Sequence, residues 1–378
     1  MQNSLQEPIS RGENARVLCA IVFAIFGVAL TGCSTAPMPV ALQLARAVRD
    51  PAGANQTRPP NWMIPAAQGM DLLYVSNDIG ASGLLVFSYP KGDLVGEVAV
   101  PSEYPVGLCS NAAGDVFVTT TGSGSQSYVY EYAHAGTQPI ATLTDPGEAN
   151  GCAIDSVTGS LAVTNYLSTG GSQKYYGDVA IFPHGQGTAS TYFDPAISFY
   201  DYCAYDGDGN LYVDGHGASA LRSVIGKLPS GSGSFSNITL SQNIQPISMQ
   251  WTGSSLLVSS LAHVQSKHGP QPIYQIRVSG SSGVVSGPLL LHSPHNLNPY
   301  GSVQFWLEGH TLIGPDRDRD GNGLLNFWHY PRAGWPRKTI HHPGAFGLYG
   351  VTMSKANQNL HRDRKSQERL QRSRSVSP

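Results

Sequence analysis

Asp316-Arg-Asp-Arg-Asp-Gly-Asn-Gly323 sets carboxylates at alternate positions ahead of a glycine, the spacing with which a tight loop aims several oxygens at one hard cation. Calcium is the ion this chemistry suggests, with Asp316, Asp318 and Asp320 as ligands. The motif is incomplete, because Phe327 stands where a helix-loop-helix calcium site wants glutamate, and Arg317 and Arg319 can neutralise the acids without metal. An exposed hairpin is the plainer reading, so no cofactor is expected beyond this calcium candidate.

A second group is Asp78, Asn165, Asp201, Asp214 and His216, each at the edge of a short apolar run. Gathered at one mouth, such oxygens and an imidazole would suit a ligand site, or a metal whose bound water opens an ester or lactone beside a paired base. Acids and amides are also ordinary strand-end residues that bond nearby backbone N–H groups, and that explanation is preferred. Among the 12 histidines none has the i, i+4 helical zinc spacing or a Ser or Cys nucleophile beside it, so no catalytic residue is assigned. Tyr104, Tyr200, Tyr202, Tyr300 and Tyr349 offer apolar planes with polar tips, of which half or more are expected to pack inside the fold.

The elements that must position these residues follow a repeat. Asp206-Gly-Asp-Gly-Asn-Leu-Tyr-Val-Asp214 is its clearest copy: an acid or amide, a Gly-centred turn, then a short β-branched or aromatic run. Looser copies cover 111–118, 155–163 and 251–258. Aligned first strands fall at Gly107, Gly151, Tyr202, Ile247, Gly301 and Gly350, with separations of 44, 51, 45, 54 and 49 residues. Four short strands fill such a unit. Second strands read Leu73-Tyr-Val75, Val116-Phe-Val118, Leu161-Ala-Val163, Leu211-Tyr-Val213, Leu256-Leu-Val258 and Leu312-Ile313. Third strands are expected at 85–87, 129–132, 179–182, 224–227, 273–276 and 325–328, most of them followed by a Gly-bearing hairpin and an outer strand such as 139–143 or 237–240.

Leu73 opens a unit at its second strand, whereas Gly347-Leu-Tyr-Gly-Val-Thr-Met353 is a first strand with no successors. The two ends complete one sheet. The expected fold is therefore all-β: a six-bladed β-propeller of four-stranded blades, closed by the C-terminal strand pairing with the N-terminal blade. Residues 71–353 resemble the NHL and TolB-like six-bladed propellers, the phrase from Asp206 to Asp214 being closest to the NHL pattern, although the Arg that commonly opens its third strand is missing. Phrases such as Leu-Tyr-Val-Ser and Val-Phe-Ser-Tyr-Pro also resemble bacterial propeller lipoproteins, a likeness that carries no activity. An acid and amide ring at the mouth would resemble the metal site of gluconolactonase-like propellers.

At the amino end, Arg11 and Arg16 precede an uncharged, mostly apolar run over 17–30 that ends in Leu30-Thr31-Gly32-Cys33. The run is short for a comfortable membrane span. It resembles the lipobox, which implies cleavage before Cys33 and a diacylglyceryl thioether on its sulfur; Ser34 implies sorting to the outer membrane. The expected organisation is a signal over 1–32, a lipidated flexible tether over 33–67 with a short helix at 40–48, the propeller over 68–354, and a basic disordered tail over 355–378.

Composition agrees with many strands and turns: charged residues are 13%, with 43 Gly and 26 Pro. The tail holds 7 basic and 2 acidic residues, while residues 33–353 hold 14 basic and 21 acidic. That excess of acids argues against nucleic-acid binding. Cys152 and Cys203 share a repeat position and should lie on separate blades, so buried small apolar roles are expected for Cys109, Cys152 and Cys203, with at least one free thiol.

The function expected is a lipid-anchored, extracytoplasmic binding or scaffold module, a monomer recognising a protein, peptide or glycan. A metal-dependent hydrolase or lactonase at the mouth is the rival.

Overall fold

Alternation inside the second strands builds the molecule, because each middle side chain points to one neighbouring sheet and its flanking pair to the other. The computed structural model describes residues 61–77, 83–102, 104–121, 127–168, 176–217, 223–260, 269–293, 304–318, 320–342, 345 and 347–356. Six radial sheets emerge. Blade I pairs Leu348–Ser354, Asp71–Asn77, Gly83–Tyr89 and Leu94–Ala99 in that order. Blade II follows with Pro105–Ser110, Val116–Thr120, Ser127–Tyr132 and Pro139–Asp145, and blade III with Gly147–Ile154, Leu161–Ser168, Asp178–Phe182 and Ser190–Tyr192. Blade IV is Phe199–Tyr205, Leu211–His216, Ser223–Leu228 and Ser236–Asn237; blade V is Pro246–Trp251, Leu256–Ser260, Gln271–Ser279 and Ser282–Leu291. Trp306–Glu308, Thr311–Arg317, Gly323–His329 and Lys338–His342 form blade VI.

Six apolar clusters sit between the blades, one per interface. Leu161 and Val163 pack toward blade II, with Phe117, while Ala162 packs toward blade IV. Leu211 and Val213 face blade III, and Tyr212 faces blade V. The pattern repeats to closure: Ile313 of blade VI meets Leu73 and Val75 of blade I, whose Leu72 and Tyr74 turn to blade II. Each such side chain, fully buried, contributes about 1.5–3 kcal/mol relative to exposure. The ring is zipped by Leu73 opposite Met353, Tyr74 opposite Thr352 and Val75 opposite Val351.

Glycines recur in the first strands because neighbouring first strands nearly touch. A Cβ on Gly107 would come within 2.3 Å of the Asn150 carbonyl oxygen, and one on Gly350 within 2.4 Å of that of Val106.

Several expectations are corrected. The flexible tether does not extend to residue 67: Trp62–Met63 forms a fifth strand on blade I, opposite Glu97 and Gly96, and Ala67 is fully buried in a 3-10 turn. An apolar edge that another strand covers is better protected than an open one. The outer strand expected over 237–240 is divided, Ser236–Asn237 joining blade IV while Thr239–Leu240 crosses to pair in parallel with blade V. Lys355 and Ala356 still belong to the folded part, since Lys355 Nζ bonds Glu308 Oε1 at 2.7 Å and the Ala356 N–H donates to Asp71 Oδ1 at 2.9 Å. Gly301, Cys33, the 1–32 segment and the helix expected at 40–48 lie outside the described residues, as do positions 357–378. Among the described residues no helix is long and apolar enough to cross a membrane.

The cysteine expectation also changes. Cys109 and Cys152 form a disulfide across the blade II and III interface, with Cα atoms 5.7 Å apart, and among the described residues Cys203 alone stays a buried free thiol. Cys152 and Cys203 do occupy the same repeat position, each Sγ lying 3.9 Å from a carbonyl of the preceding blade, Phe117 and Ala162 respectively. Cys109 stands one residue further along its strand from the aligned glycine than Cys152 does. In a pleated strand that single step reverses the side chain, so Cys109 faces the following blade and meets Cys152.

Replacing Cys109 and Cys152 together by Ala should lower unfolding stability by about 4 kcal/mol, the chain-entropy value for a loop of this length. Urea denaturation of the two proteins measures it; coincident curves would mean that the bridge is not formed.

Candidate functional site

Each first strand carries an irregularity where it pairs with its second strand in blades I to V, and this leaves a backbone N–H without its ladder partner. In blades I to III the hydroxyl after the second strand's apolar run repairs it, whereas in blade V the corresponding Ser259 Oγ is buried without a partner. In blade II, Thr119 Oγ1 accepts from the Gly107 N–H at 2.9 Å and donates to the Asn150 carbonyl of blade III. Thr164 Oγ1 accepts from Gly151 at 2.9 Å and donates to the Asp201 carbonyl of blade IV at 2.8 Å. Ser76 does the same between Gly350 at 2.6 Å and the Val106 carbonyl at 2.7 Å. A hydroxyl suits this position because it accepts and donates at once.

Blade IV has Asp214 there instead. Its Oδ1 accepts from the Tyr202 N–H at 2.6 Å, while Oδ2 is buried without a partner. An ionised carboxylate cannot donate, and burial costs it heavily. Desolvation accordingly raises the Asp214 pKa from its ordinary value to about 7, against the lowering effect of the Tyr202 N–H. Asp201, also buried, is pushed well up by desolvation and then by the charge of Asp214, so the two do not both ionise near neutrality.

A second acid group joins blades II and III. Asn165 Nδ2 donates to Asp178 Oδ1 at 2.8 Å, and Asn165 lies opposite Asp178 in the register of blade III. Asp145, at the end of blade II, is fully buried; its Oδ1 accepts from the Gly147 N–H at 2.8 Å and its Oδ2 has no partner. Burial raises Asp145 to about 7, opposed by the Gly147 N–H and aided by the charge of Asp178. Burial raises Asp178 too, while its bonds to Asn165 and Ser168 oppose the shift. Neither Asp145 nor Asp178 stands out in the sequence; the signal available was Asp178 entering a third strand directly across from Asn165.

The remaining expected residues separate. His216 packs its ring on Phe199, with centroids 4.9 Å apart, and near Tyr166 at 6.5 Å; burial lowers its pKa, so the neutral imidazole is favoured. Asp316 is bound into blade VI, with Oδ2 accepting from Asn326 Nδ2 at 3.1 Å and Oδ1 from the Arg317 N–H at 2.8 Å. Asp318 clips its own loop, accepting from the Asp320 N–H at 2.9 Å and the Asn322 N–H at 2.8 Å, and Asp320 is exposed. The three carboxylates thus have three different environments. Among the described residues no group of three or more His, Cys, Asp or Glu is placed to hold a metal. Asp78 lies outside the described residues. Asp206, prominent in the sequence, makes the same clip as Asp318, accepting from the Asp208 N–H at 3.0 Å and the Asn210 N–H at 2.9 Å.

The arrangement can hold and release protons near neutral pH at two blade interfaces. No protein-family model matches the chain, and no curated protein sequence matches it. Solved structures do. A crystal structure of a nidogen/laminin complex contains a chain with TM-score 0.55 and 14% identity, the match covering 76% of this chain and 100% of that one. TolB from Acinetobacter baumannii gives TM-score 0.54 and 11% identity over 77% of this chain and 68% of its own. At these identities the likeness establishes the propeller fold alone.

The folded protein holds the protons of Asp145 and Asp214 more tightly than the unfolded chain. Their contribution to stability is therefore full below about pH 4 and is lost as pH rises toward about 7. Asp214→Thr, which installs the hydroxyl used by blades II and III, should shrink that loss by about 4 kcal/mol. Urea midpoints near neutral and acid pH measure it, and equal pH slopes would rule out ionisation of Asp214 as a contributor.

Proposed function

We propose that the protein is an exported, lipid-anchored propeller that binds a protein, peptide or glycan of the cell envelope at the mouth where second strands leave and first strands enter. The Cys109–Cys152 bridge carries the export part of this reading, because structural disulfides persist in oxidising compartments and are rare in the cytosol. It agrees with the order of Arg11, Arg16, the apolar run over 17–30 and Cys33, which supplies a thioether anchor and directs the mature protein to the outer membrane. Residues preceding Asn61 are then the tether, and the basic residues beyond Ala356 a solvated tail. The NHL-type likeness rests on the phrase from Asp206 to Asp214.

A closed ring of rigid blades fits a binding module, since its mouth presents side chains from six sheets on one frame. One of the similar folds is seen in complex with a protein, laminin. His216 stands partly exposed on the buried rings of Phe199 and Tyr166, beside the acids of blades III and IV. Aromatic planes next to carboxylates and amides suit peptide side chains and sugars.

A second reading rests on one observation: Asp214 at about 7 has the proton affinity of a general base working at neutral pH. A hydrolase or lactonase would draw on Asp78, Asn165, Asp201, Asp214 and His216 around a metal. Elemental analysis and an ester and lactone panel, with and without chelator, separate the two; metal together with chelator-sensitive turnover would replace the binding reading.

Cys33→Ser should abolish incorporation of labelled fatty acid and release the protein from membranes. Unchanged membrane retention and labelling would remove the anchor. Cross-linking from intact envelopes should recover one reproducible partner, lost on His216→Ala.

A further inference from the structure

Blades III and IV leave a cavity of about 250 Å³ between their turns at the end of the ring opposite the mouth. Its walls include the rings of Tyr192 and Tyr205 and the side chains of Leu211 and Leu228, and Ser230 stands on its exposed rim. Asp155 also lines it, and is itself only 3% exposed. No lysine or arginine is among the lining residues.

The negative charge of Asp155 is more than its turn needs. Asp155 Oδ1 accepts from the Val157 N–H at 2.9 Å and Oδ2 from the Thr158 hydroxyl at 2.6 Å. In the matching turn of blade II the residue is Asn111, whose neutral amide oxygen accepts from the N–H groups of Ala113 and Asp115, both at 2.9 Å. In blade IV the residue is Asp206, but there Asn210 Nδ2 binds both carboxylate oxygens, at 3.1 and 2.8 Å, and the Tyr212 hydroxyl adds a bond at 3.3 Å. The turn of blade III is one residue longer, and Ser160 takes the place of Asn210, its carbonyl accepting from the Asp155 N–H as that of Asn210 does from Asp206, so Asp155 lacks the amide and has the Thr158 hydroxyl alone on Oδ2. The fold tolerates a neutral residue at this turn, yet here keeps a scarcely exposed carboxylate facing a cavity.

We infer that this cavity binds the side chain of a lysine or arginine displayed by a polypeptide partner. Tyrosine rings and leucines accommodate an aliphatic stem, the rings attract a cation at its end, and Asp155 supplies the opposite charge in a partly desolvated setting. The volume lies below the roughly 300–1,000 Å³ of sites that enclose a whole small molecule, which favours one residue of something larger. The acid excess of residues 33–353 steers a basic partner toward the same protein. The site is separate from the mouth and does not depend on what binds there.

The test is saturation-transfer NMR on the full chain with acetyl-Gly-Lys-Gly-amide, its norleucine counterpart and butylammonium. The lysine peptide should bind saturably and about tenfold more tightly than the norleucine peptide. Asp155→Asn, which preserves the turn as Asn111 does, should lose about the same factor with unchanged melting, and Ser230→Lys, which brings a cation to the rim, should block binding without altering Asp155. His216→Ala should leave it intact, so failure here and failure at the mouth are distinguishable. Equal affinity for norleucine, wild-type affinity in Asp155→Asn, or no saturable binding of the lysine peptide would overturn the proposal. Butylammonium binding as tightly as the peptide would overturn the polypeptide source.

Discussion

One hydrogen-bonding requirement organises the ring. In blades I to III the first strand breaks its ladder, and a hydroxyl from the adjoining second strand takes up the N–H left over while reaching the next blade. Serine and threonine meet both demands with one oxygen. Because the second bond crosses a blade boundary, it sets the spacing of the inner strands, and the same closeness restricts Gly107 and Gly350 to glycine. Apolar burial supplies most of the adhesion between blades, but it is indifferent to register; the hydroxyl bonds are directional and fix it.

The acids near the axis follow from this requirement. Asp214 occupies a hydroxyl position, and the cost of burying its charge is reduced by keeping a proton, with Asp201 adding to the pressure. Asp145 and Asp178 reach a similar state around Asn165 by a different route, one contributed by an outer strand of blade II and the other by a third strand of blade III. Perturbed carboxyl groups often mark functional sites, although structural networks perturb them as well. Here the geometric role is visible for Asp214, which is why the binding reading outweighs a catalytic one.

The two ends of the ring then differ in character. At the mouth, acids and amides are mostly held by the frame, and the imidazole of His216 is partly exposed over the buried ring of Phe199. At the far end, the Asx-type turns of blades II and IV share a backbone, that of blade III is one residue longer, and the three differ in how their polar head is answered: Asn111 is neutral, Asp206 is met by Asn210, and Asp155 borders a cavity. Small departures within a repeat are informative because the repeat states what the fold alone requires.

The sequence by itself determined the six-fold repeat, its four strands and the pairing of 349–353 with 73–75, since these depend on local alternation and on turn residues that recur at readable intervals. It also carried the turn chemistry at Asp206. Only the tertiary structure decided that Cys109 meets Cys152, that Asp145 joins Asp178 and Asn165, and that residues 62–63 cap blade I. Those contacts join different blades or distant segments, so they depend on which way each side chain points after the sheets have twisted and closed. The surroundings of the alternate acids are decided in the same way: acids along a chain share a metal only if the backbone turns them inward, and here Asp316 bonds Asn326 while Asp318 bonds its own loop.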